Sequence, residues 1–322
     1  MAFDWRDKQV LVTGCQGLIG APLCKALLDR GAAVTGYDIN LRGLLNDYGV
    51  DRRVRLVKDT ILSQSRLNGA LTGQDIIFHL AAISGVEQSR NSGVNAFEIN
   101  VRGTWLVLQE ALSIGKAKAV VMASSNHIYG LQEHHPVPET AGFNQLDTYS
   151  ATKTMCDYAG RAYAHNYGLP VGIVRNTNCF SPYDPHADHI VPGTILSLLK
   201  GEQPVIKSRG LTKKSYLYVD DVVDAYLLVA EYMASGGAKG QAFNVTDEPI
   251  SVKDLVTTIM RVMGIIKEPT ILGQANDQAD ENLDSTLIRQ TLGWRPRHSL
   301  QEALLLTVEG FRKRHGMVGT RA

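Results

Sequence analysis

The stretch from residue 8 to residue 38 constrains this chain most, because it reads as strand, glycine-rich turn, helix and strand in that order. Lys8-Gln9-Val10-Leu11-Val12-Thr13 is a short apolar run of β-branched character, and it stops at Gly14-Cys15-Gln16-Gly17-Leu18-Ile19-Gly20. That is the pattern of a buried strand meeting a tight turn. Gly14 allows the chain to turn, Gly17 removes a side chain where a pyrophosphate would approach a helix N-terminus, and Gly20 lets helix and strand pack closely. The helix runs on through Ala21-Pro22-Leu23-Cys24-Lys25-Ala26-Leu27-Leu28, with proline in the first turn, where N–H groups have no helical acceptor anyway. Ala33-Val34-Thr35-Gly36-Tyr37-Asp38 is the second strand, and Asp38 ends it about twenty residues past the turn, where a ribose 2′-hydroxyl needs an acceptor. Glycines alone are a weak signal. Strand before, helix after and acid at that distance together point to a dinucleotide cofactor, and the carboxylate favours NAD over NADP.

Composition sets the outer bounds. With 322 residues, 44% of them hydrophobic, and a formal charge of +1, the chain suits one large or two moderate globular domains and has no basic surplus for nucleic acid. Cys15, Cys24, Cys156 and Cys179 lack metal-ligand spacing, so they read as reduced thiols of a cytoplasmic protein and no metal site is expected. The first residues carry acids where a secretory leader would be basic and then apolar, and no apolar run is long enough to span a bilayer.

Val54 to Asp59 reads as a third strand, and Asp59 is open to two readings, an acceptor for an adenine amino group or a loop-end carboxylate. Asp75 to Ala82 is a fourth strand, ending in Leu80-Ala81-Ala82, whose small alanines suit backbone lying close under a cofactor. A helix follows from about Asn95 through Val101, Trp105, Leu108 and Leu112, with Asn100 inside it. The fifth strand, Ala119 to Ser125, ends on the hydroxyls of Ser124 and Ser125. Open parallel sheets bind ligands beyond the carboxyl ends of their strands, so these serines and the following Asn126-His127-Ile128-Tyr129-Gly130 occupy the chemical rim. Tyr149 and Lys153 open a helix that continues to about Tyr167, and their four-residue spacing gives them one face. An ammonium beside a phenol favours the phenolate, which makes a usable base.

With those pieces in place the chain resembles the extended short-chain dehydrogenase/reductases, the NAD-dependent nucleotide-sugar epimerase and dehydratase family. The matching residues are Gly14, Gly17 and Gly20 of the turn, Asp38, Asp59, Leu80-Ala81-Ala82, Asn100, Ser124, Tyr149, Lys153 and Asn178 within Arg175-Asn176-Thr177-Asn178-Cys179-Phe180-Ser181-Pro182. In the second half, Ile190-Val191-Pro192-Gly193-Thr194-Ile195, Gln203 to Ser208 and Tyr218-Val219-Asp220-Asp221 look most like the CDP-glucose 4,6-dehydratase branch. The resemblance implies an α/β fold, a Rossmann-like doubly wound parallel sheet with a smaller C-terminal substrate-binding domain. Residues 1–177, with 218–246 returning to them, are expected to bind NAD, and residues 178–217 and 247–322 to form the nucleotide-sugar domain. Ser251-x-x-Asp254 and Ser299-x-x-Glu302 read as capping boxes, and the helices they open, with Asp284 to Leu292 between, are expected to build that smaller domain.

The same resemblance implies roles. Gly14, Gly17, Leu18, Ile19, Gly20, Asp38, Asp59, Thr60, Leu80, Ala81, Ala82 and Asn100 would hold NAD together with Tyr149 and Lys153. Tyr149 would take the proton of a sugar hydroxyl, Lys153 would hold the nicotinamide ribose, and Ser124 would bond the reacting oxygen. Ser125, Asn178, Val191 and Lys214 would meet the nucleotide-diphosphate sugar. The family's dehydratases carry an aspartic acid and then a glutamate or lysine where this chain has Asn126 and His127, and an amide cannot protonate a leaving hydroxyl. His127 is either a base beside a 4-keto group, as a cysteine is in the related GDP-mannose 3,5-epimerases, or a group that only hydrogen-bonds. Lys214 matches an arginine, and a lysine neutralises phosphate without making a bidentate fork. His186 and His189 read as exposed. The leading expectation is an NAD-dependent epimerase working through a transient 4-keto sugar. A 4,6-dehydratase comes next, then a dehydrogenase that releases NADH, then a non-catalytic NAD-binding regulator. Pairing of the helices near 95–112 and 149–167 with their copies would give a homodimer, as in relatives of the family.

Overall fold

The computed structural model describes residues 3–274 and 279–316. Strands β1 (Gln9–Thr13), β2 (Ala33–Asp38), β3 (Arg55–Lys58), β4 (Ile76–His79), β5 (Ala119–Ala123) and β6 (Val171–Asn176) join the strand Gln241–Val245 in one seven-stranded sheet. Every pairing in it is parallel, and the order is Gln241–Val245, β6, β5, β4, β1, β2, β3. The direction of strand addition reverses between β1 and β4, the switch point where doubly wound sheets bind ligands.

Alternation along β1 explains why the sheet is covered on both faces. Val10 and Val12 pack with Leu23, Leu27 and residues of the helix Val219–Ala234, whereas Leu11 packs on the opposite side with Leu67, Val107 and Ala164. With no face left to water, the strands read as continuous apolar runs instead of alternating ones. β6 is the strand the sequence pattern concealed, because Pro170 and Gly172 interrupt its apolar run. Gly172 has a packing reason: a Cβ there would overlap Val229 and Met233 of the covering helix.

The helix expected from Asn95 to Leu112 is three pieces, Val94–Ala96, a π-helical segment Phe97–Arg102, and Gly103–Ile114. Single π turns inside α-helices are frequent at functional positions, and this one contains the buried Asn100. A separate hydrophobic core lies in the second half, where Val191, Ile195 and Leu198 of the helix Ile190–Leu199 meet Leu255 and Ile259 of Val252–Val262 and Leu304 and Phe311 of Leu300–Arg314. Ser251 and Ser299 cap the last two helices, accepting hydrogen bonds from the N–H groups of Asp254 at 3.0 Å and Glu302 at 3.3 Å. The helix Thr286–Leu292 does not join this core. Ile288 and the following Trp294 are buried against the main sheet with Tyr226 and Phe243, and the Trp294 indole N–H donates to the Asp221 carbonyl at 2.9 Å. Among the described residues no helix is long and apolar enough to cross a membrane.

Candidate active site

The glycine turn fits a dinucleotide. Gly14 has φ +71°, and a Cβ on it would stand 2.8 Å from the Ala81 amide nitrogen, while one on Gly20 would overlap the Gly14 carbonyl. Leu18 and Ile19 carry the chain from this cradle into the helix Gly20–Asp29. Thr13 Oγ1 accepts from the Leu80 and Ala81 N–H groups, both at 3.2 Å, so the end of β4 is stitched to the turn and half-buried Ala82 follows it. Behind them His79 bridges Thr13 Oγ1 at 2.8 Å and Thr104 Oγ1 at 2.9 Å. Burial, and then the charge of Lys153, push His79 down to about 3, so it serves as a neutral crosspiece. Asp38 accepts from the Gln16 and Asn40 N–H groups, both at 3.0 Å, which presents its carboxylate beside the turn. The Gln16 side-chain nitrogen is buried there without a hydrogen-bond partner, one donor suited to a bound cofactor.

Asp59 and Thr60 lie at the end of β3, where Asp59 accepts from the Thr60 N–H at 2.8 Å and pairs with Arg66 at 3.4 Å. Asn100 is a clamp on backbone. Its Oδ1 accepts from the Ile83 N–H at 2.7 Å, and its Nδ2 donates to the Ile83 carbonyl and to Thr152 Oγ1, both at 3.0 Å. It therefore ties the loop after β4 to the helix Thr148–Tyr167, which carries Tyr149 and Lys153.

On that helix Asp147 caps the start by accepting from the Ser150 N–H at 3.1 Å, and the Lys153 ammonium donates to the Ala123 carbonyl at the end of β5 at 2.9 Å. The His127 ring meets the Tyr149 ring edge-on with centroids 5.9 Å apart. Ser124 departs from its expected role. Its hydroxyl donates to Asp157 at 2.8 Å, turned into the protein, so its proton is committed away from any sugar oxygen. Asp157 and Arg175, 0% and 1% exposed in their side chains, form a bidentate pair at 2.8 and 2.9 Å. Arg175 also donates to the Tyr129 hydroxyl at 2.7 Å and the Glu139 carbonyl at 2.9 Å. Sequence reasoning missed this network. Two signals were available: Asp157 stands one helical turn beyond Lys153, and Arg175 is a lone cation ending a buried strand.

Ser125 remains on the rim, capping the turn Asn126–Tyr129 by accepting from the His127 N–H at 3.2 Å. Asn126 faces the second half of the chain, where its Nδ2 donates to Glu281 at 2.6 Å. The same Glu281 pairs with Lys214 at 2.7 Å, so structure joins two departures from the family pattern through a residue the sequence reading passed over. Asn178 donates weakly to the Ser215 carbonyl at 3.4 Å. Val191 is a correction: its side chain is buried in the second core, which leaves only backbone for a ligand. Asp184, His186 and His189 have metal-ligand chemistry, but the buried carboxylate holds one imidazole on each oxygen, at 2.8 and 2.9 Å, and both rings are half exposed.

The chain is similar to known proteins in sequence and fold. A family model described as the NAD dependent epimerase/dehydratase family matches residues 10–246. The chain is 32% identical over 315 residues to a UDP-glucose 4-epimerase of Mycolicibacterium smegmatis, a match that covers 95% of this chain and 99% of that one. The crystal structure of UDP-glucose 4-epimerase with UDP-glucose from Thermotoga maritima superposes with a TM-score of 0.86 at 28% identity, covering 95% of this chain and 99% of the other. A dTDP-glucose 4,6-dehydratase from Streptomyces venezuelae with NAD bound gives 0.85 at 28% identity, over 96% and 98%. A match of that extent, on a sheet and glycine turn built as described above, makes this chain an enzyme of the NAD dependent epimerase/dehydratase family.

Proposed function

We propose that the enzyme is a nucleotide-sugar 4-epimerase working through a transient 4-keto sugar. One observation carries the choice over dehydration. The rim position beside His127 holds the Asn126 amide, which donates to Glu281 and is far too weak an acid to protonate a leaving hydroxyl. Both Glu281 oxygens are engaged within the protein, one by Asn126 at 2.6 Å and the other by Lys214 at 2.7 Å. Removing and returning hydride at one carbon needs a base and no such acid. Similarity in sequence and fold to UDP-glucose 4-epimerases supports the same reading and favours UDP as the nucleotide.

NAD, when bound, supplies a hydride acceptor that is restored within each turnover. Tyr149 takes the proton of the C4 hydroxyl and returns it. Lys153, anchored on the Ala123 carbonyl, keeps two further N–H donors for the cofactor ribose and the phenolate side. Ser125 takes over the reacting oxygen, because its hydroxyl makes only a long 3.4 Å bond to Asn126 Oδ1, whereas the Ser124 proton is held by Asp157 at 2.8 Å. Lys214 and Asn178 meet the nucleotide diphosphate, and His127 forms the wall against which the Tyr149 ring is set. Among the described residues, 3–177 and 218–246 form the cofactor unit and the others the substrate unit, except that the helix Thr286–Leu292 serves the former.

A homodimer is part of the same proposal. Val94 and Trp105 are 76% and 51% exposed on one side of the helical run ending at Ile114, and Met155 and Tyr158 are 46% and 56% exposed on the adjoining helix. Two such pairs of helices can close a four-helix bundle, and a monomeric mass in sedimentation at micromolar concentration would refute it. The activity is tested by giving NAD-loaded protein a panel of UDP-, dTDP- and CDP-glucose in deuterated water, read by mass spectrometry and chromatography. Inversion at C4 without a change of mass is expected. Loss of water would make it a dehydratase, accumulation of free NADH a dehydrogenase, and retained NAD without turnover a regulator.

A further inference from the structure

We propose that Glu281 sets the sugar specificity, selecting nucleotide sugars with a neutral hexose over hexuronates. The inference rests on the reading of the site as one for nucleotide sugars. Glu281 is fixed by backbone on both sides: its N–H donates to the Lys213 carbonyl at 2.9 Å, and the neighbouring Asn282 carbonyl accepts from the Val137 N–H at 2.9 Å. Asp280 adds a bond from the Lys213 N–H at 2.7 Å, so the strap cannot swing freely over the cleft. The side chain reaches from this strap to Asn126, the residue before His127, and His127 packs on the Tyr149 ring. On this reading a sugar presented to the Tyr149 phenol would meet the rim that this carboxylate reaches through Asn126.

Toward Asn126, Glu281 presents acceptors only. Asn126 is a neutral donor, and Lys214, 15% exposed in its side chain, is a cation paired with Glu281 that an entering diphosphate would also engage. Sugar hydroxyls can donate to Glu281 in place of Asn126 or beside it. A hexuronate carboxylate can only accept, and at about 5 Å with an effective dielectric near 20 the repulsion of two carboxylates corresponds to a discrimination on the order of a hundredfold. Lys214 offsets part of that, which leaves a factor of roughly ten or more.

The test compares binding of UDP-glucose and UDP-glucuronate by calorimetry, and their turnover, on NAD-loaded wild type, Glu281→Gln and Glu281→Ala. Wild type should favour the hexose by about tenfold or more, and both variants should reduce that ratio about tenfold, chiefly by tighter binding of the glucuronate. Thermal melting of each variant separates this from loss of fold, and the glutamine keeps an acceptor for Asn126. An unchanged ratio in both variants, or a wild-type preference for the glucuronate, overturns the proposal. If discrimination is present and lost in the variants while neither sugar turns over, the proposal stands and the epimerase reading falls. If turnover occurs with an unchanged ratio, the reverse holds, and if neither ligand binds, both are wrong.

Discussion

Replacing Asp157 by asparagine should destabilise the protein severely while changing no atom that touches the cofactor turn. Asp157 accepts three hydrogen bonds, one from Ser124 and two from Arg175, with its side chain 0% exposed. An asparagine offers one acceptor oxygen, and its NH₂ group then faces the donors of Arg175. The guanidinium remains buried without a counter-charge, and breaking a buried pair from one side costs about 3–5 kcal/mol. For a chain of this size that corresponds to a fall in Tm of roughly 4–7 °C, readable by scanning calorimetry. Exchanging both partners, as Asp157→Leu with Arg175→Met, should recover much of the loss, because the stranded charge is gone. Recovery should stop about 1–3 kcal/mol short, since Ser124 and the Glu139 carbonyl lose their partners. The reasoning fails if Asp157→Asn costs less than about 1 kcal/mol, or if the double change is as damaging as the sum of its parts. In the folded fraction of Asp157→Asn, kcat should drop more than cofactor affinity, because Ser124 adjoins Ser125 on the reacting rim.

Three other outcomes are expected. Tyr149→Phe should abolish turnover with NAD affinity within about twofold of wild type, checked by cofactor titration, and surviving activity would remove Tyr149 as the base. Asp38→Ala should narrow the preference for NAD over NADP by about tenfold or more, since the carboxylate beside the Gln16 amide would otherwise repel a 2′-phosphate, and equal wild-type affinities would contradict this. The Asp184 cluster should leave a pH signature. Burial pushes the Asp184 carboxyl up, but hydrogen bonds from His186 and His189 outweigh it and hold it at about 2, below the usual 3.8, so its stabilisation is present above pH 3.8 and lost as pH falls through 2. The hydrogen bond to Asp184 raises His189 above the usual 6.5, so its contribution is full below pH 6.5 and lost as pH rises through the raised value. Urea midpoints of wild type and Asp184→Asn should differ most between those limits, and a difference independent of pH would refute the assignment.

The early strands, the glycine turn and the Tyr149 and Lys153 pair were legible because each is a local pattern. An apolar run, a glycine that tolerates φ +71°, and a four-residue helical spacing are decided by residues near one another in the chain. Even the capping of the helices opened by Ser251 and Ser299 follows from three-residue spacing. β6 escaped because its glycine answers to a helix almost sixty residues away, Val229 and Met233 lying over Gly172. The assignment of Thr286–Leu292 to the second core failed for the same reason: a short amphipathic helix does not encode which of two cores will bury Ile288. The roles of Ser124 and Asn126 were also beyond the local pattern. A serine at a strand end looks free until Asp157 is brought under it, and an asparagine looks like a missing acid until Glu281, 155 residues on, arrives at 2.6 Å. Sequence therefore determined the family's scaffold and the placing of Tyr149 and Lys153 on one helix, through short-range sterics and periodicity. Only tertiary structure decided which polar groups are already satisfied, because hydrogen bonding and burial depend on partners that the chain brings together from afar.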